Sequence, residues 1–301
     1  MIERRWDAGR PVDVLTTLAP LRRGSGDPAH RVDPDGTFWW AAATPDGAGT
    51  IALNAVFNGV HARAWGDGAA WLAARVPTLL GEGDDWSELD FTGWPRLRDG
   101  LRRRPGVRLP STGLVLDSLV PAVLEQRVTG GEAHRAWRGL LRRFGSPAPG
   151  PREDLFVPPS ARTLLDVPTW DWHRFGVDGH RQRAIRAAAS VASRLQECVA
   201  LSPAAAVARL LVVPGVGQWT AAETALRALG HPDVVSVGDY HLADLVVHAF
   251  TGRPRGTDEE MLELLAPWTG QRARVVRLVE LSGVSIPKFG PRFRPNDIRA
   301  I

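Results

Sequence analysis

The chain has 301 residues, which is enough for two domains that each bury a core. Its 44% hydrophobic and 23% charged residues are typical of a soluble globular protein. No run approaches the roughly 20 apolar residues of a membrane span, and the charged start does not fit a signal peptide. A single cysteine, Cys198, excludes an internal disulfide and a four-cysteine metal site. We therefore expect a cytoplasmic protein without membrane contact.

Charge is distributed unevenly along the chain. The formal net charge is +4, but residues 1–87 hold 8 basic and 11 acidic residues. The excess of basic residues therefore falls in 88–301, so a polyanion would bind the C-terminal two thirds. Lys288 is the only lysine. Because all other basic residues are arginines, an isolated arginine carries little functional signal.

Residues 1–86 are predicted to form a small antiparallel β domain with one helix. Short apolar stretches alternate there with turn-forming clusters, as in a meander. Asp67 is predicted to cap a helix that runs to Leu80, because its apolar residues recur with the helical period. A charged stretch, 82–88, then predicts a domain boundary near residue 86. The predicted strands are 37–44, 50–57 and 60–65.

Residues 87–301 are predicted to form a mostly helical domain, so the fold class is α+β. From about residue 112 the apolar residues recur with the helical period. The proline-rich segment 146–160 is predicted to be a loop, because proline cannot continue a helix. The predicted helices are 116–128, 132–144, 178–200, 204–211, 220–229, 240–250, 258–265 and 271–281.

The segment 206–222, AVARLLVVPGVGQWTAA, predicts two helices joined by the hairpin Pro214-Gly215-Val216-Gly217. Pro214 ends the first helix, and the glycines let the chain turn sharply while leaving its backbone unshielded. Amides of Gly215 and Gly217 at the start of the second helix can then donate to a phosphate oxygen. For so short a motif, a plain connection between two helices is the alternative.

A second motif, GHPDVVSVGDYHLAD over 230–244, contains Asp239 at the start of a predicted helix. Taken alone, an aspartate there is usually an N-cap. Together, the hairpin and Asp239 resemble the helix-hairpin-helix DNA glycosylase superfamily, in which an aspartate follows the hairpin at this distance. The likeness is to the bacterial 3-methyladenine DNA glycosylase II family in particular, and it extends over residues 105–282.

This resemblance implies a β-rich N-terminal domain and a two-lobed helical body that flips a damaged base and hydrolyses its N-glycosidic bond. Asp239 would be the catalytic carboxylate, which stabilises positive charge on the sugar and orients water. Bifunctional members carry a lysine two residues after the second glycine, and Trp219 stands there instead. The resemblance therefore implies a monofunctional enzyme that leaves an abasic site. It needs no metal or cofactor, although a monovalent cation can bind weakly at the hairpin carbonyls.

The resemblance also implies a base pocket and a DNA-binding surface. A base alkylated on a ring nitrogen is cationic and stacks on indole, with a gain of about 0.5 to 2 kcal/mol. Core packing is the alternative for Trp219. Glu223 and Glu280 stand where the family has aromatic pocket residues, and their carboxylates either favour a cationic base or face solvent. The predicted pocket residues are Trp219, Tyr240, Gln126 and Glu223. The predicted DNA-binding residues are Pro214, Gly215, Val216, Gly217, Gln218, Thr220 and Arg127.

Arg127 departs from the family pattern, in which a leucine fills the gap left by the flipped base. Arginine can occupy that gap, or its presence indicates another range of lesions. Three hypotheses therefore stand: a monomeric glycosylase for alkylated purines in duplex DNA, a glycosylase for deaminated or mispaired bases, and a non-catalytic DNA-binding protein. The segment 289–299 alternates arginine with phenylalanine and is a further candidate for DNA contact.

Overall fold

The N-terminal part is a five-stranded antiparallel sheet with strand order β1-β5-β4-β3-β2. The computed structural model describes residues 1–286. The central meander was predicted, but the outer strands were not, because β1 is mostly charged and β2 has only three residues. The strands are β1 Ile2–Asp7, β2 His30–Val32, β3 Phe38–Thr44, β4 Gly47–Val56 and β5 Gly59–Gly66.

Two helices cover one face of this sheet, α1 (Val14–Leu18) and α2 (Ala69–Leu79). The helix predicted to end at Leu80 is confirmed as α2, which ends at Leu79 with Leu80 as its C-cap residue. The predicted cap was wrong, because the N-cap residue is Gly68 and no side chain caps α2. A Cβ at Gly68 would lie 2.5 Å from the Thr44 hydroxyl oxygen, so only glycine fits against β3 there.

The remaining residues form a helical body with two hydrophobic clusters, as the predicted two lobes require. The first lobe has its core within 115–228, and the second lobe joins residues 86–109 to 242–279. The helices are α3 Pro95–Arg103, α4 Val115–Leu124, α5 Gly130–Phe144, α6 Ala161–Asp166, α7 Thr169–Arg174, α8 Gly179–Ser190, α9 Ala192–Gln196, α10 Pro203–Leu211, α11 Gln218–Ala228, α12 Leu242–Thr251, α13 Asp258–Leu265 and α14 Arg272–Leu281. Short 3-10 helices are Ala19–Leu21, Glu197–Ala200 and Ala266–Trp268.

The α+β fold class is confirmed, and the differences from the predicted elements are local. The helix predicted over 178–200 is interrupted at Val191. The segment 146–160 contains a short strand pair, β6 (Ser146–Pro147) and β7 (Phe156–Val157). The apolar side chains of Leu155 and Val157 pack against the strands of the N-terminal sheet and cover it. Helices α3, α6 and α7 escaped prediction: α6 and α7 have only six residues each, and α3 is polar, with only Leu97 and Gly100 buried.

Two predictions remain as they were. The boundary near residue 86 stays a prediction, and the segment 289–299 lies outside the described residues. Among residues 1–286, none of the helices has the length and apolar composition needed to cross a membrane.

Buried polar groups join the N-terminal sheet to the helical body. Asp27 is fully buried and accepts a 2.9 Å hydrogen bond from the indole N–H of Trp137 on α5. Burial would raise the pKa of Asp27, but the ion pair with His30 and backbone hydrogen bonds lower it well below its usual range. Among residues 1–286, Asp117 on α4 forms no such ion pair. Burial raises its pKa to about 7, against a smaller opposing effect from a hydrogen bond with the Ala43 backbone.

Candidate active site

The predicted hairpin joins α10 to α11, and Gly217 is the N-cap residue of α11. No side chain caps this helix, so the N–H groups of its first turn point outward with no acceptor in the helix. Val216 is buried and anchors the hairpin in the first lobe. The residues around it are exposed: Pro214, Gly215, Gly217 and Gln218. This geometry offers open backbone donors at a helix N-terminus, which favours an anion.

The two glycines of the hairpin serve different purposes. Gly215 has φ +86°, and a Cβ built on it would lie 2.6 Å from the Cβ of Ala184 on α8. Gly217 has an extended backbone, and a Cβ there would meet no atom within 4 Å. Gly215 is therefore needed by the fold, whereas Gly217 faces open space at the start of α11.

Alanine substitutions should separate these purposes. We expect Gly215→Ala to lower the free energy of unfolding by about 1 to 3 kcal/mol, because the left-handed backbone and the contact with Ala184 both oppose a Cβ. Gly217→Ala should change stability by less than about 0.5 kcal/mol but weaken duplex binding, because the added methyl enters the open space that a strand bound at the start of α11 would occupy. Urea unfolding and fluorescence anisotropy with a DNA duplex measure the two effects. Equal losses of stability in both variants would contradict this division.

In the chain, Asp239 lies between α11 and α12, and both of its carboxylate oxygens accept hydrogen bonds. Oδ1 accepts the backbone N–H groups of His241 at 2.9 Å and Leu242 at 3.0 Å. Oδ2 accepts the indole N–H of Trp219 at 3.0 Å. The first contacts are those of a helix cap, as the alternative interpretation expected, but the third crosses from the second lobe to α11 of the first. One oxygen therefore positions the carboxylate, and the other points to the opposite lobe.

The two predicted aromatic pocket residues are neighbours of Asp239, Trp219 through its hydrogen bond and Tyr240 as the next residue of the chain. Trp219 is half-buried and lies outside the hydrophobic clusters of both lobes, so core packing does not explain it. Tyr240 is 80% exposed, and its ring stands edge-on to the His241 ring at 4.7 Å. Their roles toward a base stay predictions.

Gln126 contacts the hairpin itself. Its Nε2 donates to the carbonyl of Gly215 at 2.9 Å and to the hydroxyl of Thr220 at 2.8 Å. Thr220 is buried, so its hydroxyl supports the hairpin from inside. Arg127 follows on an exposed turn with φ +55°, a strained conformation for arginine. The end of α4 and the hairpin thus form one rigid edge.

Two carbonyls at the place predicted for a monovalent cation already accept hydrogen bonds. The carbonyl of Gly215 accepts from Gln126, and that of Val213 accepts from the N–H of Val216. A carbonyl has a second lone pair, so neither bond excludes an ion. The cation stays a prediction.

Glu223 and Glu280 are both paired with arginines. The Glu223 carboxylate accepts from Arg227 at 2.7 Å and from the Ser236 hydroxyl at 2.6 Å. Glu280 pairs with Arg277 at 2.8 Å. Burial would lower the pKa of Arg227, but Glu223 and neighbouring carboxylates raise it. Neither glutamate therefore offers an unpaired negative charge to a cationic base.

Sequence reasoning missed one residue that organises this region, Arg181 on α8. It is 3% exposed, and its guanidinium donates to the Asp178 carboxylate and to the carbonyls of Leu124 and Gly176, all at 2.8 or 2.9 Å. These bonds fasten the start of α8 to the end of α4. Arginines are so frequent in this chain that no sequence pattern distinguished Arg181.

Comparisons with known proteins give related sequences and folds. No family model matches the chain. It is 33% identical over 153 residues to a Mycobacterium tuberculosis protein described as a probable bifunctional transcriptional activator/DNA repair enzyme AlkA. That match covers 49% of this chain but only 30% of the relative, so the chain spans under a third of the relative's length.

Two solved structures share the fold over almost the whole chain. A 3-methyladenine DNA-glycosylase from Archaeoglobus fulgidus has a TM-score of 0.76 at 17% identity, covering 94% of this chain and 98% of that one. A Clostridium acetobutylicum 8-oxoguanine glycosylase/lyase bound to duplex DNA has a TM-score of 0.70 at 9% identity, covering 93% and 97%. The predicted resemblance is confirmed, while identities this low establish the fold alone.

Proposed function

From the fold of the helix-hairpin-helix DNA glycosylases, which this chain adopts, we propose that it is a DNA glycosylase of base-excision repair. It binds damaged duplex DNA as a monomer and hydrolyses the N-glycosidic bond of a flipped purine. The observation that carries the proposal is the position of Asp239. Its carboxylate accepts three N–H groups, one of which is the indole of Trp219 in the other lobe. A carboxylate held in this way, near the uncapped start of α11, is suited to stabilise positive charge on a sugar of the DNA strand that the hairpin binds.

The residues divide the chemistry between binding and catalysis. The open amides of the α11 first turn hold a phosphate, which anchors the strand that carries the lesion. Arg127, exposed at the end of α4, fills the gap left in the duplex when the base leaves the stack. As the glycosidic bond breaks, Asp239 faces an oxocarbenium-like sugar and stabilises its positive charge while orienting the attacking water.

The enzyme is proposed to be monofunctional. A lyase step needs an amine nucleophile that forms a Schiff base with the sugar. Trp219 stands at the position where bifunctional relatives carry lysine, and Lys288 is the only lysine of the chain. Water is therefore the nucleophile, and the product is an intact strand with an abasic site.

Alkylated purines are the first candidate substrates, because the half-buried indole of Trp219 beside Asp239 can stack on a cationic base. A second class, deaminated or mispaired bases, is the alternative, because the Glu223 carboxylate is paired with Arg227 and does not offer a net negative charge to a cationic base.

A panel of duplexes tests substrate and reaction type together. We expect free base from duplexes with methylated purines, and strand breaks only after alkali. Borohydride should trap no covalent enzyme–DNA adduct, because no lysine stands near Asp239 in the sequence. Hypoxanthine and mismatch duplexes serve as the parallel arm.

Each alternative has its own outcome in this panel. Release of hypoxanthine without methylpurine would transfer the assignment to the second class of lesion. Tight binding of every duplex without any excision would replace the enzyme with a non-catalytic DNA-binding protein. A borohydride adduct would overturn the monofunctional mechanism.

A further inference from the structure

We propose that the start of α8, through His180 and Arg183, is a second phosphate-contacting element beside the hairpin. This inference rests on the proposed function, since it extends the surface that binds DNA. It adds two residues that neither the hairpin motif nor Arg127 includes.

Helix α8 packs directly against the hairpin. A Cβ built on Gly215 would lie 2.6 Å from the Cβ of Ala184 and 3.8 Å from Cε1 of His180. The imidazole of His180 therefore stands directly beside the exposed backbone of the hairpin. Arg183 lies on the same turn, and its Nη1 is 3.1 Å from the Cβ position of Gly179, so its guanidinium turns toward the start of α8.

Hydrogen bonds join the hairpin, the end of α4 and the start of α8 into one surface. Arg181, buried between His180 and Arg183 in the sequence, bonds the start of α8 to the Leu124 carbonyl at the end of α4. Gln126, two residues further, bonds the same end of α4 to Gly215. The hairpin, the Arg127 turn and the start of α8 are thus held together, and a strand that contacts one reaches the others.

This surface carries basic side chains that are open to a ligand. His180 and Arg183 are exposed, and within residues 1–286 neither forms an ion pair with an acidic side chain. The nearest carboxylate on their own segment, Asp178, is bonded to the Arg181 guanidinium and to two backbone amides. Both of its oxygens are thus bonded to groups other than the Arg183 guanidinium. An exposed guanidinium on the helix that packs against the hairpin can donate to the oxygens of a DNA phosphate.

The test measures binding to a lesion-free duplex over a series of salt concentrations. We expect Arg183→Gln and His180→Gln each to weaken binding by about 3- to 10-fold, and the slope of log affinity against log salt to fall by about 1 for Arg183→Gln. The matched control is Arg5→Gln, which removes an exposed arginine from β1 of the acidic N-terminal domain. Single-turnover excision by the control Arg5→Gln at saturating enzyme should equal that of the wild-type protein.

The outcomes separate this inference from the proposed function. Variants with the affinity and salt slope of Arg5→Gln would overturn it, even where the wild-type protein excises bases. If Arg183→Gln weakens duplex binding and the wild-type protein excises no base, the second phosphate contact is supported and the proposed glycosylase activity is refuted. A wild-type protein that binds no duplex would overturn both.

Discussion

Asp239→Asn is expected to slow excision by at least about 1000-fold while leaving the fold intact. The asparagine oxygen can still accept the N–H groups of His241 and Leu242, so the start of α12 keeps its cap. What it loses is the negative charge that stabilises the developing positive sugar, together with the acceptor for the Trp219 indole N–H, because an amide nitrogen only donates. Single-turnover release of free base from a lesion duplex measures the rate, and urea unfolding measures stability.

A neighbouring acid provides the control for Asp239. Asp244 lies on α12, pairs with Arg255 at 2.9 Å and takes no part in the proposed chemistry. Asp244→Asn should therefore excise at close to the wild-type rate. If Asp239→Asn retained more than a tenth of wild-type activity, this aspartate would be only a helix cap, and another group would carry the reaction.

Asp117→Asn is expected to raise the free energy of unfolding by about 2 to 4 kcal/mol at pH 8 and to have little effect below pH 4. In the folded protein, burial raises the pKa of Asp117 to about 7, from about 3.9 in an unfolded chain. The wild-type protein is therefore most stable when Asp117 is protonated, and loses stability as the pH rises from about 4 to 7. Asparagine removes this loss.

Asp27 offers a control of opposite sign. Its pKa is lowered in the folded protein by His30 and by backbone N–H groups, against the effect of burial. Its stabilising contribution is therefore present above the unfolded pKa and is lost as the pH falls. Asp27→Asn should destabilise the protein at pH 8 by about 1 to 3 kcal/mol, because buried donors lose a charged acceptor. If both variants shifted stability equally at every pH, ionisation would not be the cause.

Local chemistry explains what could be predicted of the fold. The meander of β3, β4 and β5 is marked by turn residues between apolar strands, and the long helices by their apolar period. Strand β1 escaped because its residues are mostly charged, and only its pairing with β5 makes it a strand. The interruption at Val191 escaped because periodicity continues across it.

The sequence by itself determined the hairpin and the place of Asp239, because both depend on neighbouring residues: a proline and glycines that shape one turn, and an aspartate that accepts the first amides of α12. Only the tertiary structure decided that Gln126 supports the hairpin, that Glu223 is paired with Arg227 and contacts Ser236, and that Arg181 joins α8 to α4. These are bonds between elements distant along the chain. In a sequence whose basic residues are almost all arginine, nothing local distinguishes the buried guanidinium from the solvated ones, so packing alone assigns their roles.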